Sequence, residues 1–357
     1  MEYRERKEVT PEAAVILWQA SRLDLSEDYE RAPEILKIHG SVIGTLGNFS
    51  ASIGKAKSKK TFNVSAIVAA ALKNGTVLSY TAELPENRRK ILYVDTEQSS
   101  YHCAKVAKRI LRMAGLPADR NHEDLEFLVL RKYTPEERIA IVREAIYRTG
   151  NVGLVIIDGI RDMVYDINNS AESTTVISYL MTWTGERNIH IHTILHQNKG
   201  DENARGHIGT ELSNKAETVL QVEKDEKDPD ISTVKAAHIR AMNFEPFAFR
   251  INGEALPELL DEYLFKHKDP GKGKKEKFDP YKDITEKQHR IALEAAFTLK
   301  DEYGYKELAG VLRETYASVK VMLGGNRVTD LITLLKNKRM IVQENGRKYT
   351  FKPDFHY

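Results

Sequence analysis

Gly54 is followed by four residues and then by Lys59, Lys60 and Thr61, within a segment that reads SASIGKAKSKKT from Ser50 to Thr61. Glycine, four residues, then glycine, lysine and serine or threonine is the spacing of a loop whose backbone N–H groups cradle phosphates. Lys59 stands where that spacing has its second glycine. Gly54, Lys55, Ala56, Lys57, Ser58, Lys59, Lys60, Thr61 and Phe62 are therefore the candidate phosphate contacts. In this frame Lys60 would meet the β- and γ-phosphates of ATP, and the Thr61 hydroxyl would ligate Mg²⁺. Three more polar groups close apolar runs elsewhere: Ile91 to Val94 leads into Asp95 and Glu97, Val152 to Ile157 into Asp158, and Ile189 to Leu195 into His196.

These groups need elements to hold them. Val42-Ile43 and Phe49 to Ile53 have strand composition, and Thr61 to Leu72 is Ala-rich and apolar, as a buried helix is. A strand, a glycine-initiated loop and a helix N-terminus in succession point N–H groups and the positive end of the helix dipole at an anion. Val152 to Asp158 is an almost uninterrupted aliphatic run, the composition of a parallel strand buried on both faces. Ligand chemistry in open α/β sheets collects at the carboxyl ends of such strands. The pattern predicts an α/β fold with a mainly parallel sheet flanked by helices.

Residues 38 to 252 resemble the RecA/DnaB superfamily of ATPases and, within it, the RepA-like hexameric ATPases of plasmids and mobile elements. The YVDTE run ending at Glu97 is similar to the family strand whose final acid is the general base, and Asp158 falls at the acid that holds Mg²⁺ through water. His196, followed by Gln197, Asn198 and Lys199, falls where the family senses the γ-phosphate with Gln or His. His238-Ile239-Arg240 resembles the Lys-x-Arg pair that such hexamers insert into a neighbour's site. Arg240 is then the arginine finger, with His238 in place of the lysine. The resemblance implies ATP and Mg²⁺ as cofactors, DNA as a partner, and self-assembly into a hexameric ring or a filament. Lys59 departs from the pattern in one of two senses. It blocks the close approach of backbone to phosphate that a glycine allows, or it adds a cation.

The chain has 357 residues, an apolar fraction of 41% and a single cysteine, Cys103. That composition can form a core, excludes a disulfide framework and points to a reducing, cytoplasmic compartment. No apolar run approaches the roughly 20 residues that span a bilayer, and the charged N-terminus has no apolar segment behind it. His190 and His192 alternate as strand residues of a packed or a surface face do rather than as metal ligands.

From Lys266 to Lys277 the chain carries six lysines, two glycines and one proline, the composition of a flexible linker. Residues 266–357 hold 20 Lys/Arg against 13 Asp/Glu, a net of +7, where the whole chain is +2. A basic end on an otherwise acidic chain points to nucleic acid. Beyond the linker, Thr285 and Gln288 have capping-box spacing and open a helix expected to run to about Tyr303. Helices follow from Tyr305 to Glu314 and from Arg327 to Asn337. A hairpin then turns on Asn345-Gly346. Three helices and a hairpin resemble a winged helix, whose third helix enters the major groove. That implies DNA contacts by Asn326, Arg327, Thr329, Lys336 and Lys338, and by Arg347 and Lys348 on the wing, with Lys199 and Arg205 as further candidates in the core.

The expected organisation is an N-terminal helical segment (1–37), a RecA-like core (38–264), a basic linker (265–282) and a winged-helix domain (283–357). The expected function is ATP-dependent work on DNA in replication or mobilisation of a plasmid or mobile element. The alternative is a DNA-binding regulator or adaptor whose ATPase core is degenerate, which Lys59 and His238 favour and the intact Glu97 and Asp158 oppose.

Overall fold

The computed structural model describes residues 9–198, 204–260, 263, 265, 278–344 and 348–355. Lys199, Arg347, the stretch 266–277 and the Asn345-Gly346 turn lie outside them, as does the side chain of Asn326. The chain divides into two compact units, Met1–Tyr263 and Leu264–Tyr357.

The first unit opens with α1 (Pro11–Ala20), capped by the Thr10 side chain and without a buried residue. Then come β1 (Glu34–Ile38), β2 (Ser41–Thr45), β3 (Phe49–Gly54), α2 (Lys60–Lys73), β4 (Thr76–Val77), β5 (Tyr80–Ala82), β6 (Lys90–Asp95) and α3 (Ser100–Met113). β7 (Leu125–Val129), α4 (Pro135–Arg148), β8 (Val152–Asp158), α5 (Ser170–Arg187), β9 (His190–His196) and α6 (Gly206–Lys215) follow. The unit closes with β10 (Thr218–Lys224), β11 (Ile231–Ile239), β12 (Phe247–Ile251) and β13 (Pro257–Leu259).

Nine strands form one sheet in the order β13-β12-β11-β10-β3-β9-β8-β6-β7. Pairing is parallel from β10 to β7 and antiparallel from β10 to β13. This is the mostly parallel, helix-flanked α/β sheet that the residue pattern predicts. β8 is buried at all seven positions, which explains a strand with no polar residue before Asp158. Gly153 is obligatory there, because a Cβ would lie 2.0 Å from the Arg88 carbonyl oxygen.

α2 is apolar all round because it is covered on more than one side. A second, four-stranded sheet, β2-β1-β5-β4, packs Ile35, Leu36, Tyr80 and Ala82 into the same core as Val64, Ile67, Val68 and Ala71. The Tyr80 hydroxyl donates to Asn63 Oδ1 at 2.7 Å, tying β5 to a buried polar residue of α2.

β3 and β9, which deliver the phosphate-loop glycine and His196, are joined by side chains as well as by backbone. His190 Nδ1 lies 2.9 Å from the Thr45 carbonyl, which can only accept, so that nitrogen carries the proton. His190 Nε2 therefore accepts from Ser50 at 2.7 Å, and Ser50 Oγ accepts from His192 Nδ1–H at 2.8 Å. His192 Nε2 is left to accept from Ser52 at 2.9 Å. One carbonyl thus fixes the direction of the whole chain of hydrogen bonds. Burial holds both imidazoles neutral, with the pKa of His192 pushed down to about 3. The alternation of His190 and His192 is strand packing.

The second unit contains α7 (Glu286–Leu299), β14 (Glu302–Tyr303), α8 (Tyr305–Ser318), α9 (Gly325–Asn337), β15 (Ile341–Glu344) and β16 (Lys348–Phe351). Its sheet runs β14-β16-β15, and its core is built on Leu293, Phe297, Leu308, Leu312, Leu331, Leu335 and Tyr349. The Thr285–Gln288 capping box forms, but the helix expected to reach Tyr303 ends at Leu299. Lys300 is extended, and Glu302 and Tyr303 pair with Thr350 and Tyr349. Ending the helix early lets Tyr303 bury its ring against Phe297 and donate its hydroxyl to the Ala296 carbonyl at 2.7 Å.

Candidate functional site

The carboxyl ends of β3, β6, β8 and β9 meet the N-terminus of α2 at a cavity of about 420 Å³. Lys57, Ser58, Lys59, Lys60, Thr61 and Phe62 line it from the loop, Glu97 and Asp158 from the strand ends, and His196 from β9. Lys55 and Ala56 do not reach it. Gly54 does not line it either, but its carbonyl accepts from the Lys60 ammonium. A Cβ at Gly54 would meet Val222 O at 2.3 Å and Ser58 Oγ at 2.5 Å, so no other residue fits that corner.

α2 starts with no side-chain cap. The first N–H groups of a helix have no partner within it; here the Phe62 N–H donates to the Lys59 carbonyl at 3.0 Å, which leaves those of Lys60 and Thr61, and all three residues line the cavity. Ser58 Oγ is buried and has no hydrogen-bond partner. Lys60, itself buried, donates to the Gly54 and Lys55 carbonyls, each at 2.9 Å, and to His196 Nδ1 at 3.1 Å. Uncapped N–H groups, an orphan hydroxyl and a buried ammonium fit a phosphate group. Burial pushes the pKa of Lys60 down to about 8, against the pull of Asp158 and Glu97.

Thr61 Oγ1 donates to Asp158 Oδ2 at 3.2 Å, and the Tyr93 hydroxyl donates to the same oxygen at 2.9 Å. A hydroxyl beside a carboxylate is a hard, all-oxygen donor set that fits Mg²⁺. Burial, reinforced by Asp95, pushes the Asp158 pKa up to about 7.

Glu97 sits in a turn built by Asp95. Asp95 Oδ1 accepts from the Glu97 and Gln98 N–H groups at 3.0 and 2.7 Å, and Oδ2 accepts from the Gln98 side chain at 2.7 Å. Thr96 ties this turn to β8 by donating towards the Asp158 and Gly159 carbonyls and Asp162 Oδ2 at 3.0–3.1 Å. Gly159, at φ 99°, could carry no side chain, since a Cβ would lie 2.2 Å from Thr96 Oγ1. Burial and the neighbouring Asp162 raise the Glu97 pKa. Because Lys60 donates to His196 Nδ1, the His196 proton is on Nε2, which faces Glu97 Oε1 at 3.9 Å.

Lys59, which lines the cavity, also makes a contact outside the loop. It adopts the left-handed conformation a glycine would take, at φ 66° and ψ 30°, for roughly 1–2 kcal/mol of strain. Its ammonium is bonded to the Pro229 carbonyl at 2.5 Å, with Asp230 at 3.8 Å.

One wall of the cavity escaped the sequence reading: His102, Lys105, Val106 and Arg109 line it from α3. Their i, i+3, i+4, i+7 spacing is the signal of a shared helix face. The Arg109 guanidinium lies 3.6 Å from the Phe62 ring centroid, and its buried Nε has no partner. Arg161, paired with Asp162, is another cation at the rim.

The remaining candidates lie elsewhere. Arg240 does not line the cavity, and it donates to the Lys215 carbonyl at 2.9 Å. His238 lines a second cavity with His207, Thr210 and Asn214. Arg205 is exposed at the start of α6. In the second unit, Asn326, Arg327, Thr329 and Lys336 belong to α9, with Lys338 at its C-cap. Several of these make contacts within the unit. Arg327 lies over Phe278, Lys336 over Tyr349 and Lys338 over Tyr281, Thr329 meets the Tyr305 hydroxyl, and Lys348 pairs with Glu302.

The Asp158 carboxyl makes a pH-dependent contribution whose sign is unusual for an acid. The folded chain keeps a proton up to about pH 7 that the unfolded chain loses near pH 4, so stability falls as pH rises between them. Asp158→Asn removes that term. Between pH 5 and 7.5, urea unfolding should show the variant gaining on the wild type by on the order of 2 kcal/mol. Parallel stability curves would contradict a buried, protonated Asp158.

No curated protein matches the chain. Among solved structures, the crystal structure of the RadB recombinase aligns at 15% identity and a TM-score of 0.42, covering 59% of this chain and 90% of that one. A family profile described as an AAA domain matches residues 22–202, more than half of the chain. The chain belongs to that AAA domain family.

Proposed function

We propose that the chain binds ATP with Mg²⁺ in the cavity at α2 and hydrolyses it to do work on DNA as an oligomer. The observation that carries this reading is the convergence of Lys60, Thr61, Asp158, Glu97 and His196 on one cavity beside an uncapped helix N-terminus. Lys60 would exchange its loop carbonyls for the β- and γ-phosphate oxygens, and the free N–H groups of α2 would hold the phosphates from the other side. Thr61 and Asp158 would hold Mg²⁺, which supplies charge neutralisation across the phosphates. Glu97, its pKa raised by burial, would orient water and accept its proton. His196 touches Lys60 and faces Glu97, and so would register whether the γ-phosphate is present. Arg240, outside its own cavity, would serve a neighbouring subunit's site in a ring or filament.

The second unit supports a DNA role. Its order of three helices and a hairpin, with a short strand after the first helix, supports the winged-helix reading. α9 would enter the major groove, and residues 266–357 carry a net +7. The setting proposed is replication or mobilisation of a plasmid or mobile element. A slow or inactive core serving as a DNA-binding adaptor is the other reading that Lys59 and His238 favour.

Steady-state ATPase measurements with and without DNA separate the two. Wild type should turn over, faster with DNA, and Glu97→Gln should cut turnover by about 10²–10⁴-fold while ATP binding persists. Turnover indistinguishable between wild type and Glu97→Gln would remove the enzyme reading.

DNA affinity should reside largely in residues 266–357. Each phosphate neutralised contributes about −0.9 to the slope of log K against log salt. In an anisotropy titration across a salt series, a chain ending at Phe265 should lose most duplex binding and most of that slope. Equal binding by the shortened and full chains would make the second unit a protein-docking module.

A further inference from the structure

The phosphate loop is held from outside by the antiparallel part of the sheet. Ser232 on β11 donates its hydroxyl to the Ser58 carbonyl at 3.2 Å, and the missing Cβ of Gly54 lets the loop lie against the Val222 carbonyl of β10. The third contact is the Lys59 ammonium on the Pro229 carbonyl. Pro229 belongs to the turn between β10 and β11, which is rigid in its own right. Asp225 Oδ1 accepts from the Lys227 and Asp228 N–H groups at 2.7 and 2.9 Å, and Asp228 Oδ1 accepts from the Asp230 N–H at 2.9 Å. Arg250 on β12 grips Asp228 Oδ2 at 2.8 Å.

We propose that Lys59 is a positioning residue that ties the phosphate-binding loop to the 225–230 turn, so that a side chain holds the loop's shape where a glycine would leave it to the backbone alone. The role rests on reading this loop as the nucleotide site. A lysine at φ 66° accepts a strained backbone. The long stem lets its ammonium cross to a fixed carbonyl. The loop then needs less ordering when phosphate arrives, which lowers the cost of binding. The ammonium faces the turn, so binding should depend on the tether and not on a further cation at the phosphates.

Three variants of the full chain decide the matter. Lys59→Met keeps the stem and the strain but has no donor, Lys59→Arg restores a donor, and Lys59→Gly removes the strain and the tether together. Amide hydrogen exchange of the free protein is read at residues 55–62, 225–231 and, as an internal standard, β8. In Lys59→Met and Lys59→Gly, exchange should quicken about tenfold in both loop and turn with β8 unchanged, and Lys59→Arg should restore it. For ATP turnover, KM should rise several-fold in Lys59→Met with kcat within about twofold of wild type, and recover in Lys59→Arg. Unchanged exchange at 225–231 in Lys59→Met overturns the tether. A weaker KM without faster exchange makes Lys59 a direct phosphate ligand, and faster exchange with an unchanged KM removes the positioning role. Should the wild type bind no ATP at all, the nucleotide reading fails while the exchange comparison still decides the tether.

Discussion

The N-terminus of α2 is left without a side-chain cap, and the surrounding architecture is arranged about those free N–H groups. A helix end normally recruits a serine, threonine or aspartate to satisfy them. Here the preceding residue is a lysine in a left-handed conformation whose side chain bonds elsewhere. Keeping such an end aimed requires that the helix body not move. That explains why α2 is packed on nearly every side, with buried residues running from Asn63 to Leu72. The small antiparallel sheet supplies the cover that the main sheet cannot, and it does so with Ile35, Leu36 and Tyr80 on an alanine-rich surface.

Electrostatics in the cavity follows from the burial of Asp158 and Lys60. Asp158 closes a strand buried along its whole length, and its carboxyl is held by Tyr93 and Thr61 rather than by a full counter-charge. Burial raises the pKa of the acid and lowers that of Lys60, so both sit near neutrality, where an arriving metal or phosphate shifts them readily. Glu97 is raised for the same reason but stands in a turn whose shape is set by Asp95 and Thr96. Glu97, which lines the cavity, and Asp95 and Thr96, which shape its turn, are therefore adjacent in sequence.

What the sequence made legible follows physical rules with a short range. Val152 to Asp158 is an unbroken apolar run because both faces of β8 are buried, and the structure returns those same bounds. The apolar helix after the loop, the Thr285 capping box and the strands flanking Asn345-Gly346 are similarly local. Features that depend on distant partners were not legible. Nothing in the spacing of Lys59 reveals that Pro229, 170 residues later, would take its ammonium. The end of α7 at Leu299 depends on a strand pairing with Tyr349, and the covering role of β1, β2, β4 and β5 depends on α2 lying beneath them. The α3 wall of the cavity was readable in the helical spacing of His102, Lys105 and Arg109, once α3 was known to face the loop.

The central claim is that the cavity at α2 is a nucleotide site gripped by Lys60. Isothermal titration of Mg²⁺-ATP into the full chain and into Lys60→Ala tests it most directly. Saturable binding at one site per chain, weakened at least about tenfold by the substitution, is the predicted result. Absence of binding to the wild type at millimolar ATP, or equal binding by both proteins, would contradict it.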